Sequence, residues 1–195
     1  MQSIQTVSEN TIYVGASDRR LAKFENLFPI PRGVSYNAYV ILDEKTALLD
    51  TADASVGAQF LENVAAALDG RKLDYLIVDH MEPDHAAMIE AVLVRWPDLR
   101  LVVNAKTLPM LKMYFPTDSA AIDDALVVKE GDTLDLGKHK LTFVMAPMVH
   151  WPEVMMTFDT TTGTLFSADA FGTFGALEGA LFADEVDFAL SLIHI

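Results

Sequence analysis

The stretch Asp79–Ile89, DHMEPDHAAMI, constrains this chain more than any other. Within it His80, Glu82, Asp84 and His85 place four potential metal ligands in six positions, spaced H-x-E-x-D-H. Packing does not ask for such a pattern, because polar groups taken out of water need partners. The preceding run LDYLIV (Leu73–Val78) is apolar enough for a strand buried on both faces. After it, Met88, Ile89, Val92, Leu93 and Trp96 recur at helical spacing. The cluster is therefore predicted on a strand-to-helix loop at the carboxyl end of a strand, where open α/β sheets place their sites. Pro83 stiffens this loop and biases Glu82 away from helical dihedrals. The simpler alternative is a solvated loop in which Asp84 caps a helix starting near Ala86. Capping accounts for one carboxylate and leaves two histidines and a glutamate without a role.

The outer bounds agree with a compact α/β domain. At 195 residues and 51% hydrophobic, the chain can bury a sizeable single core. No apolar run approaches the ~18 residues needed to cross a bilayer. MQSIQTVSEN at the start has neither the basic nor the apolar segment of a secretory signal. Cysteine is absent, which excludes disulfides and cysteine-ligated iron–sulfur clusters here and is compatible with a cytoplasmic location. A formal charge of −14 argues against nucleic acid as a partner.

Taken in order, the first fifty residues read as β. Thr11–Gly15 is a strand candidate, and PIPRG (Pro29–Gly33) punctuates. Ser35–Leu42 and Lys45–Asp50 are predicted to form a hairpin across Asp43 and Glu44. A helix is predicted over Val56–Leu68, with Val56, Phe60, Leu61, Val64 and Leu68 on its inner face. Beyond the ligand loop, the next helix should end near Trp96 and Pro97, followed by a strand at Arg100–Ala105. Thr107 is placed as the cap of a short helix through Tyr114. This alternation implies a partly parallel sheet carrying helices. After Asp123 the pattern turns to short strands around Glu130-Gly131-Asp132 and Gly137-Lys138, both read as hairpin turns. His139 falls in the second turn and is expected to be solvated.

Two later positions repeat the plan of His80. KLTFVMAPMVHW ends a strand at His150, and a hairpin of Val154–Asp159 with Thr164–Ser167 ends at Asp169. With the first loop they supply three imidazoles and three carboxylates, enough for two metals sharing a bridging carboxylate.

At this point the pattern resembles a known fold. H-x-E-x-D-H, a distant His after a strand and an Asp after a hairpin are similar to the metallo-β-lactamase fold, an αββα sandwich here incomplete at its C-terminus. Hydrolases of that superfamily carry H-x-H-x-D-H. Glu82 in place of the second His resembles the flavodiiron proteins, or A-type flavoproteins, which include rubredoxin:oxygen oxidoreductases. PRGVSYNAYVILDEKTALLDT, APMVHWPEVMMTF and LFSADAFGTFGAL are similar to the same family, and the likeness runs from about Ile12 to Phe188.

The resemblance implies His80, Glu82, His150 and Asp169 as ligands of one iron, and Asp84, His85 and the bridging Asp169 as ligands of a second. It implies reduction of dioxygen to water, of nitric oxide to nitrous oxide, or both. Electrons would arrive through FMN from rubredoxin or another donor, in a homodimer or homotetramer. The family also has one further His on the second iron and a flavodoxin-like FMN domain. Neither is matched here, so residues 1–195 are expected to be a partial diiron domain that binds no FMN. His194 lies in LSLIHI, which does not resemble the family's continuation after EVDF and reads as a truncation or a foreign tail. Two other classes remain on the residues alone: a hydrolase using a metal-bound hydroxide, and an oxygen sensor whose diiron site turns nothing over.

Overall fold

In the computed structural model, residues 3–24, 26–116, 119–179, 181–182 and 184–185 are described. Strands β1 (Gln5–Ser8) and β2 (Thr11–Tyr13) open the chain. Short strands follow at β3 (Ala16–Asp18), β4 (Lys23–Phe24), β5 (Phe28–Pro29) and β6 (Val34–Tyr36). Next come β7 (Tyr39–Leu42), β8 (Thr46–Leu49), helix α1 (Gly57–Leu68) and β9 (Tyr75–Ile77). Helices α2 (Pro83–Ala86) and α3 (Ile89–Arg95) lead to β10 (Arg100–Asn104). Helices α4 (Thr107–Tyr114) and α5 (Ser119–Asp123) lead to β11 (Leu126–Val128). The last third is β12 (Thr133–Asp135), β13 (Lys140–Met145), β14 (Met155–Asp159) and β15 (Thr164–Phe166).

The large sheet runs β1-β2-β7-β8-β9-β10-β11 and the small one β12-β13-β14-β15. From β8 to β11 the strands are parallel, so each crossover must carry a helix back over the sheet. Period-two alternation splits the strands between two cores. Leu48, Leu76, Leu101 and Val103 face the helices, packing with Phe60, Val64, Ile89 and Leu111. Leu49, Ile77 and Val102 face the small sheet, packing with Leu141, Phe143 and Met155. Each large side chain so buried contributes about 1.5–3 kcal/mol. The described residues thus build a helix layer, a sheet and a second sheet. Among them, no helix is long and apolar enough to cross a membrane.

Several local expectations change. The predicted strand Ser35–Leu42 breaks at Asn37 and Ala38. β6 pairs with β3 in a separate two-stranded sheet, and only β7 joins β8. The crossing is tight, since a Cβ at Gly15 would run into the Tyr36 carbonyl oxygen. The helix placed near Ala86 starts earlier, with Pro83 in its first turn and Glu82 extended at φ −60, ψ 144. Thr107 does not cap α4 but begins it; the Asn104 side chain accepts from the backbone N–H of Lys106 and Thr107 instead. Glu130-Gly131-Asp132 is no hairpin turn, because β11 belongs to the large sheet and β12 to the small one. His139 is not solvated: it is wholly buried beside Asp159.

Candidate metal centre

Three segments converge at one end of the two sheets. β9 delivers His80 and Glu82, α2 carries Asp84 and His85, the β13–β14 loop brings His150, and Asp169 follows β15. All six side chains named from the sequence meet there, in two groups that share Asp169. His80, Glu82, His150 and Asp169 form one; Asp84, His85 and Asp169 form the other, with donor atoms inside each group within 4.8 Å of one another. His194 lies outside the described residues.

The distances show how the groups share a residue. Glu82 Oε2 lies 3.2 Å from His80 Nε2 and 2.7 Å from His150 Nε2. Asp169 Oδ2 lies 3.2 Å from both of those nitrogens. Its other oxygen, Oδ1, lies 2.8 Å from His85 Nε2. Asp84 Oδ2 is 3.6 Å from the same nitrogen. One carboxylate therefore presents one oxygen to each group.

Partners behind the rings fix their orientation. Glu153 Oε1 lies 2.8 Å from His80 Nδ1, and Asp50 Oδ2 lies 3.0 Å from His85 Nδ1. Asp50 Oδ1 accepts from the backbone N–H of Asp79 at 2.7 Å, and Asp79 Oδ1 accepts from the Thr157 hydroxyl at 2.8 Å. Sequence reading missed Glu153, Asp50 and Asp79. A signal existed for Asp50, which ends a strand on the same plan as His80. Glu153 and Asp79 merely neighbour residues already singled out.

Charge is concentrated and unevenly neutralised. Burial disfavours a charged His80, but Asp169, Glu153 and Glu82 outweigh it and raise the ring to about 11. His85 is raised well above its ordinary value against the same burial, by Asp84, Asp169 and Asp50. Asp169, though buried, is held far below the usual carboxylate range by His80 and His85. Burial pushes Asp84 up to about 6. Burial and the Asp50 charge push Asp79 well up as well.

The residues fit metal ions better than they fit each other. Among the described residues, the buried oxygens Asp84 Oδ1 and Asp169 Oδ2 have no aligned hydrogen-bond partner, although unsatisfied buried polar atoms are rare. Two imidazole nitrogens crowd the single oxygen Glu82 Oε2. Cations placed among the Nε2 and carboxylate atoms would relieve both conditions, with the ring protons leaving as they bind.

Two docked sheets with a helix layer, and a carboxylate shared by paired His/acid groups at their common end, define a metallo-β-lactamase-fold domain with a dinuclear donor set. The chain belongs to the family described as ODP family beta lactamase, whose model matches residues 34–194. It is 38% identical over 183 residues to the anaerobic nitric oxide reductase flavorubredoxin of Klebsiella pneumoniae subsp. pneumoniae, covering 93% of this chain and 37% of that protein. Its structure is similar to the flavodiiron protein of Giardia intestinalis, with a TM-score of 0.88 at 28% identity, covering 95% of this chain and 44% of that one. It is equally similar to the rubredoxin oxygen:oxidoreductase of Desulfovibrio gigas, with a TM-score of 0.88 at 31% identity, covering 95% of this chain and 45% of that one. The chain thus spans under half the length of each of these relatives.

Proposed function

We propose that residues 1–195 form the diiron domain of an oxidoreductase that reduces dioxygen to water, nitric oxide to nitrous oxide, or both. The observation that carries this reading is Asp169, with Oδ2 at the His80–His150 group and Oδ1 at His85. In this reading His80, Glu82, His150 and Asp169 hold the first iron, and Asp84, His85 and Asp169 the second. A pair of irons so bridged would supply electrons to a diatomic molecule held at the centre. Glu82 makes the first position harder and more anionic than a second imidazole would, which favours iron over zinc. Glu153 and Asp50 orient the two rings, and the buried setting of His80 and Glu82 limits water around the first position. Electrons are proposed to come through FMN, from a rubredoxin-type or other donor. The names of the relatives support the substrates and the donor class. A cytoplasmic setting belongs to the same reading.

The test is metal identity. Chain folded anaerobically with iron and zinc both present should carry mainly iron, about two per chain. Near-stoichiometric zinc with little iron would sink the reading in favour of a hydrolase. Glu82→His should move the balance toward zinc. Chemically reduced iron-loaded chain should react once with dioxygen; a chain that binds but never oxidises would be a sensor.

A further inference from the structure

We propose that Glu153 is a positioning residue for the first metal position: it aims His80 and ties the His150 loop to the His80 loop. The proposal rests on reading the paired groups as a metal centre, not on which metal they hold. Glu153 is 1% exposed and follows His150 on the β13–β14 loop. Its Oε1 meets two groups of the other loop, His80 Nδ1 at 2.8 Å and the Met81 backbone N–H at 3.0 Å. For His80 Nε2 to face the centre with a free lone pair, the ring proton must sit on Nδ1 and be donated to Glu153. One carboxylate oxygen therefore sets both the tautomer and the tilt of the ring.

The loop behind Glu153 is fastened in turn. Asn104 Nδ2 donates to the Glu153 carbonyl oxygen, and Lys106 Nζ donates to the Pro152 carbonyl oxygen at 3.0 Å. Both residues belong to the corner between β10 and α4, so the loop cannot drift without breaking these bonds. The other carboxylate oxygen, Oε2, is buried and meets no hydrogen-bond partner among the described residues. A residue serving only the loop would not leave a desolvated oxygen, which is costly. Glutamine could make the same two bonds through its own oxygen. What glutamate adds is negative charge behind the ring, which strengthens His80 as a donor and favours a more oxidised metal. Asp50 does the same for His85 at the second position.

Zinc makes the test independent of the iron reading. Wild type, Glu153→Gln, Glu153→Leu and Asp50→Asn would be compared by zinc competition against a chromophoric chelator and by NMR of the imidazole N–H protons. Wild type should bind in two phases and show a downfield Nδ1–H resonance for His80. Glu153→Gln should weaken one phase by about 10- to 100-fold and keep the resonance. Glu153→Leu should weaken that phase further and lose the resonance, while Asp50→Asn should weaken the other phase. The proposal is overturned if both Glu153 variants bind zinc within about twofold of wild type in each phase, against the loss expected of an outer partner. It is also overturned if both phases fall equally along with the thermal midpoint, the mark of a role in stability alone. A wild type that holds one zinc, weakened by Glu153→Gln, overturns the dinuclear reading and keeps this assignment.

Discussion

The small sheet carries histidines and aspartates at both of its ends, and the two ends have different chemistry. At the end formed by the β12–β13 and β14–β15 turns, His139 Nδ1 meets Asp159 Oδ2 at 2.8 Å. Local donors use the rest of that carboxylate: the Thr161 backbone N–H at 3.0 Å and the Thr162 hydroxyl at 2.6 Å. At the opposite end His150 and Asp169 face His80, Glu82, Asp84 and His85, and carboxylate oxygens are left over. A buried His–Asp pair is structural when nearby N–H and O–H groups occupy the acid. It becomes a cation site when several acids converge and only imidazoles are there to meet them.

The comparison can be broken most sharply at Asp169. Asp169→Ala should strip both metal positions, by more than the about 10- to 100-fold typical of losing an outer partner. Elemental analysis of a variant with an unchanged circular dichroism spectrum would check this; one position keeping its metal would end the shared role. Next in size, the second position, with three donor residues against four among the described residues, should empty first under a chelator, by about tenfold or more. Mössbauer or EPR spectroscopy should then show mononuclear iron before the coupled pair is gone.

At the other end, Asp159→Ala leaves the buried His139 Nδ1 without an acceptor and should cost about 1–3 kcal/mol in denaturant unfolding. Metal content should not change, which separates the two ends directly. The same carboxylate predicts an acid limb. Burial opposes its charge, but bonds from Thr162, His139 and the Thr161 N–H outweigh it and lower its pKa. A depressed folded value means stability is present above the unfolded value of about 3.9 and is lost as pH falls through the folded one. Asp159→Asn should flatten that limb of a midpoint-against-pH curve. Smallest of all, Lys138→Ala removes the exposed partner of Glu9 at 2.6 Å. It should leave both the midpoint and metal content unmoved.

How much could be read in advance follows the same division. The meeting of the six side chains was legible because each sits in a loop just after a strand or in the turn of helix that follows. Residue type and position were then enough to bring them to one end. Their outer partners were not legible: Glu153 reaches His80 across 73 positions and Asp50 reaches His85 across 35. Those bonds depend on how the β13–β14 loop lies over the β9 loop, which no local pattern specifies. His139 misled for a related reason. Gly137-Lys138 does make the expected turn, but Asp43 accepts the His139 backbone N–H and Asp159 takes its ring, so the side chain is drawn inward. The break between β6 and β7 falls at Asn37 and Ala38, residue types that strands disfavour, a signal masked by the β-forming residues on either side.

Asp169 also bears on when the centre can come into being as the chain is made. Its partners have emerged from the ribosome long before it does, and His80, Glu82, Asp84 and His85 alone would offer an open, acidic loop that weakly holds any divalent ion. Nothing closes either position until β15 has paired with β14 and the small sheet has docked on the large one. In the proposed reading, tight, selective uptake is therefore a late event that follows a finished fold. A chain halted before that hairpin would be free to exchange whatever ion it had picked up.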